Sequence, residues 1–102
     1  MARQRDTYLG KYEDVAASQT AQVLGTAGAV GDYIQGILII PETTSAGTIA
    51  LLDDTTSRNI FVTGTLADLT PIWLPVGMRS VNGAWKITTG ASVHCIAVGK
   101  FS

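Results

Sequence analysis

Cysteine is nearly missing from this chain. Cys95 stands alone among 102 residues, so no internal disulfide can staple the fold. A lone thiol fits a product made in a reducing cytoplasm. Histidine is equally scarce: His94 and Cys95 together supply too few ligands for a zinc site. Charge is thin, at 15% of residues, against about 25% in a typical soluble domain. Seven Lys and Arg face eight Asp and Glu, which leaves no clustered basic excess for nucleic acid. No apolar run approaches the roughly 20 residues of a membrane span, and the strongest stretch covers only residues 37–40. The opening Met-Ala-Arg-Gln-Arg-Asp carries no apolar segment of the kind a secretory signal uses. Neither membrane nor nucleic acid is therefore expected as a partner. What is present is 46% hydrophobic residues in 10.7 kDa, enough for one domain with a modest core.

The few charges are unevenly placed. Arg3, Arg5, Asp6, Lys11, Glu13 and Asp14 crowd the first fourteen residues, while residues 15–102 carry only nine more. Residues 1–14 therefore read as an extended arm outside the core, and residues 15–102 as the domain. A free terminus is the ordinary fate of such a segment. A docking arm is the functional alternative, with Tyr8, Leu9 and Tyr12 as anchors that can bury a ring and satisfy a hydroxyl.

From Val15 onward the chain reads as strands and turns. Eight Val, nine Ile and thirteen Thr favour a pleated, half-buried surface. Eleven Gly and three Pro interrupt the chain too often for long helices. Strands are expected at 22–24, 33–40, 48–52, 59–65, 72–76, 78–81, 84–88 and 92–98, with a flexible connection over 26–32 and a short helical turn over 66–70. In 59–65, Ile60 and Val62 should share one face and Phe61 the other. Pro75 places its strand at an edge or a bulge. Asn82-Gly83 suits a two-residue hairpin turn. Seven or eight short strands at this spacing predict an all-β chain, a single antiparallel β-sandwich. A jelly-roll-like order is expected, with an immunoglobulin-like order as the competitor.

Catalytic constellations fail on geometry. His94 and Cys95 are a nucleophile–base pair in composition, but neighbours in a strand point to opposite faces. Cys95 is expected as a small buried hydrophobe and His94 as its outward neighbour. Asp53 and Asp54 diverge for the same reason, and the run that follows lacks the spacing of a calcium loop, so they read as a solvated turn. The glycines at 25, 28 and 31 do not form a nucleotide loop. No enzyme, cofactor or metal site is expected.

The aromatic and aliphatic pattern points elsewhere. Trp73 alternates with Ile72 and Leu74, and residues 37–40 are apolar on both faces. Trp85 can be core, whereas Trp73 is a candidate interface anchor. Two-sided apolar strands with so little charge insulate a monomer poorly from water, which favours an assembly.

The runs Ser45-Ala-Gly-Thr-Ile-Ala-Leu-Leu-Asp53 and Gly77-Met-Arg-Ser-Val-Asn-Gly83-Ala-Trp-Lys-Ile-Thr-Thr-Gly90-Ala-Ser-Val-His-Cys-Ile-Ala-Val98 carry a resemblance. An Ala-Gly-Thr turn leads into an apolar strand ending in Asp, and an Asn-Gly turn leads to Thr-Thr-Gly and a closing strand. Over about residues 20–101 the chain resembles small jelly-roll virion proteins of tailed bacteriophages. The resemblance implies a capsid decoration (cement) protein, often a homotrimer, bound to the capsid exterior through the major capsid protein or neighbouring virion subunits. It supplies no functional residues, because such proteins act through surfaces. A receptor- or glycan-binding module of a tail or fibre is the alternative, since loops at the end of a sandwich readily form ligand sites.

Overall fold

A computed structural model describes residues 11–62 and 69–102, Lys11 as backbone only. Among the described residues there are eight strands and no helix: β1 (Lys11–Val15), β2 (Gln22–Val23), β3 (Tyr33–Pro41), β4 (Ile49–Asp53), β5 (Thr56–Phe61), β6 (Ile72–Arg79), β7 (Trp85–Thr89) and β8 (Val93–Lys100). They form two four-stranded sheets, β1-β8-β3-β6 and β2-β7-β4-β5, antiparallel throughout. The pairs β4–β5, β3–β6, β2–β7 and β1–β8 nest one inside the next, as in a long hairpin. Pairing of β3 with β8 and of β4 with β7 rolls that hairpin into two layers. This is the jelly-roll connectivity, so the β-sandwich expected from the sequence is the fold observed.

Alternation builds the core. Ile37, Ile39, Val93, Cys95 and Ala97 point inward from the first sheet and meet Ile49, Leu51, Trp85 and Ile87 from the second. Trp85 is buried with its indole N–H donating to the Asp32 carbonyl at 2.8 Å, which satisfies the one polar atom the ring brings inside.

Several boundaries differ from those read in the sequence. Of the arm expected over residues 1–14, residues 1–10 lie outside the described residues, and Lys11 to Asp14 belong to β1, in register with Gly99 to Ile96 of β8. An edge strand tolerates their charges because one side of it faces water. Glu13 also holds the structure together: its carboxylate accepts from the Gly25 N–H (2.8 Å) and the Gln22 side-chain amide (3.3 Å), lacing β1 to the second sheet.

Asn82-Gly83 is no hairpin turn. Its flanking strands β6 and β7 lie in different sheets, and neither residue takes positive φ. Residues 81–83 are instead shaped by Asp53, whose carboxylate accepts from the Val81, Asn82 and Gly83 N–H groups at 3.0, 3.2 and 3.3 Å. A register shift between Ile49 and Ala50 breaks the alternation of β5, so Ile60 and Phe61 both pack against the core. The connection over 26–32 is tied down: Ala27 and Gly28 N–H groups donate to the Ser102 carbonyl, and the Gly31 N–H to Ser80. Of the helical turn expected over 66–70, residues 66–68 lie outside the described residues, and Leu69 and Thr70 are not helical.

Candidate functional site

Among the described residues, the outer face of the first sheet is where apolar side chains lack a partner layer. Register places Tyr12, Val98, Gly36 and Pro75 in one row across the four strands, and Asp14, Ile96, Leu38 and Trp73 in the next. Ile40 stands beside His94 in a third row. Tyr12 is 70% exposed and Trp73 is 47% exposed. The Trp73 ring lies over Gly36, where an added Cβ would fall 2.6 Å from its Cη2 atom. Only glycine at that position lets the ring settle onto the sheet.

The band is apolar in the middle and charged at its ends. Lys100 and Arg79 flank Tyr33 at one end of the strands. At the other end His94 Nδ1 meets Glu42 Oε2 at 2.6 Å, with Asp14 on the edge strand nearby. Cys95, next to His94 in sequence, points the opposite way and is fully buried. Burial, reinforced by the negative charge of Asp14, pushes its thiol from 9.0 up to about 12. A thiol so held is protonated at neutral pH and unsuited to nucleophilic attack.

The interface residues expected from the sequence are thus separated by the structure. Tyr12 and Trp73 share this face but sit on its two edge strands, with Val98, Ile96, Gly36 and Leu38 between them. Tyr8 and Leu9 lie outside the described residues. Ile96 and Val98 escaped the sequence reading, although β8 is apolar at both parities and so carried the same two-sided signal as residues 37–40. Asp53 and Asp54 are not simply a solvated turn: Asp53 holds residues 81–83, and Asp54 stands 3.6 Å from the Lys86 ammonium.

A hollow of about 500 Å³ beside β1 is lined by polar groups including Asp14, Gln19, Gln22, Glu42 and His94. Its Gln22 amide is engaged by Glu13 and the Asp14 carbonyl, His94 is engaged by Glu42, and among the described residues no Phe, Tyr or Trp lines it. Among the described residues no group of three or more His, Cys, Asp and Glu could hold a metal ion, and no helix is long and apolar enough to cross a membrane.

Compared with known proteins, the chain matches no family model, no curated protein and no solved structure.

Proposed function

We propose that this chain is a structural virion subunit, a decoration protein that seats on the outer surface of a bacteriophage capsid and reinforces it. The observation that carries the reading is the outer face of the first sheet, where Tyr12, Leu38, Trp73, Ile96 and Val98 form an apolar band that no layer of the described residues covers. A sheet buried on both faces reads as apolar at both parities, and a partner must supply the missing layer. The jelly-roll connectivity agrees with what the resemblance to phage virion proteins implies. The partner is the major capsid protein or a neighbouring virion subunit, and the subunits associate as a homotrimer. Residues 1–10, with Tyr8 and Leu9 as anchors, clamp the subunit onto its neighbours and raise the effective concentration of each contact.

Co-sedimentation with particles lacking the protein tests this reading. Leu38→Glu places a charge at the centre of the band, and a chain shortened by residues 2–10 removes the clamp while leaving β1 whole. The shortened chain is expected to unfold at close to the wild-type temperature and Leu38→Glu, half-buried in the band, at a lower one while still folded at the assay temperature, and both are expected to occupy far fewer particle sites. Wild-type occupancy by a folded Leu38→Glu chain would overturn the docking face, and wild-type occupancy by the shortened chain would remove the clamp.

A further inference from the structure

The two lateral sides of the sandwich are closed differently. Between β1 and β2 the Glu13 carboxylate bridges the sheets. Between β5 and β6 a slot of about 510 Å³ opens into the core, a volume within the range of ligand sites. Its floor is Leu51 and Trp85, and its walls are Ile60, Leu74, Val76 and Met78. Met78 pairs with the buried Ile34 and so belongs to the inward face, yet it is 52% exposed through this opening.

Charge at the slot is one-sided. Arg58 pairs with Leu51, a buried position, so its side chain leaves β5 on the core side of the sheet. Arg79 lines the same slot from β6. Neither guanidinium has an ion-pair or hydrogen-bond partner among the described residues. The lining carboxylate, Asp53, is already engaged by the three N–H groups of residues 81–83. Both flanking strands are sheet edges, so among the described residues their outer N–H and C=O groups lack a neighbouring strand. An inward-pointing charge on such an edge repels a plain apolar strand. A strand carrying a carboxylate at the matching inward position turns that repulsion into recognition.

We propose that this slot receives an extended segment of a partner chain bearing one acidic and one or two apolar side chains at alternate positions. The segment adds as a strand along β5, presents its carboxylate to Arg58 with Arg79 alongside, and seats its apolar groups against Leu74 and Val76. The slot shares Arg79 with one end of the outer band, but Arg58 and its apolar lining lie apart from that face, so the proposal stands or falls without it.

The test is an NMR titration of the isotopically labelled chain with the blocked peptide acetyl-Thr-Asp-Thr-Leu-Thr-Val-amide. Shifts are expected at Ile60, Leu74 and the Trp85 indole N–H, with Asp-to-Asn and Asp-to-Lys peptides binding at least about tenfold more weakly. Arg58→Glu should reverse the order and prefer the Lys peptide, and Arg58→Gln should bind the Asp and Asn peptides alike. Circular dichroism confirms that each variant is folded. Equal binding of the three peptides by the wild-type chain, or shifts away from the slot, would overturn the proposal. So would dodecanoate displacing the peptide at lower concentration, which would assign the slot to a small anionic amphiphile. Concentration-dependent shifts at these residues without peptide would assign it to a second copy and equally overturn the proposal.

Discussion

Asp32 is the residue on which the connection between β2 and β3 depends, and its removal gives a sharp prediction. The side chain is buried and accepts three hydrogen bonds: from the Ala29 N–H at 3.0 Å, the Ser102 N–H at 3.0 Å and the Ser102 hydroxyl at 2.7 Å. Hydrogen bonds to a charged group contribute roughly 1.5–3 kcal/mol each. Ser102 is exposed, so water recovers part of the loss at its two donors. Asp32→Ala is therefore expected to destabilise the fold by about 2–4 kcal/mol, which lowers the unfolding midpoint by roughly 10–25 °C in a domain of this size. The loss should also be local. Ala27 and Gly28 donate to the Ser102 carbonyl at 3.1 and 2.9 Å, so releasing Ser102 strips protection from those two amides before the core strands lose theirs. Thermal unfolding followed by circular dichroism reads the first effect, and native-state hydrogen exchange reads the second. Unchanged exchange at Ala27 and Gly28 in the variant would refute the role of the Asp32–Ser102 bonds, whatever the change in midpoint.

Two further outcomes follow from the sheet. Trp73 has about half its surface against the strand; half of roughly 200 Å² at about 25 cal/mol per Å² makes Trp73→Ala cost about 2.5 kcal/mol in folding. The exposed half should cost on the order of 2 kcal/mol in particle attachment, and attachment unchanged in co-sedimentation would remove Trp73 from the interface. For Cys95, the unfolded chain sheds the thiol proton above about pH 9 while the folded chain holds it to about 12, so stability falls as pH rises through that window. Cys95→Ala is expected to be less stable than wild type at about pH 8 and to close part of that gap by about pH 10.5 in urea unfolding. Parallel curves for the two proteins would contradict the burial of the thiol.

Local pattern carried much of the fold. The inward direction of Cys95 and the outward direction of His94 were legible because successive side chains of a strand alternate between its faces. Pro75 announced an edge strand or a bulge, and β6 is an edge strand of its sheet among the described residues. What escaped was held by partners distant in sequence. Nothing near Asn82-Gly83 says that Asp53 will shape it, and nothing near Glu13 says that Gly25 will need its carboxylate. The register shift in β5 hid the joint burial of Ile60 and Phe61 for a similar reason, since a bulge is a property of two strands. Of the candidate face, Trp73 and the doubly apolar residues 37–40 were visible in sequence. Their assembly with Tyr12, Ile96 and Val98 required knowing that β8 lies between β1 and β3.

That placement of β8 has a consequence for synthesis. The nested pairs span ever longer loops, from Leu52 against Ser57 to Val15 against Cys95, so most of the contacts that close the fold are slow ones. While the chain is still emerging, β1 and β3 have no neighbour to join them, and the outer rows across the first sheet do not exist. The apolar face is completed only when β8 slots into the gap and brings Ile96 and Val98 with it. A chain cut short before β8 would thus lack the proposed docking face, and on that proposal only copies that include β8 would compete for places on a particle.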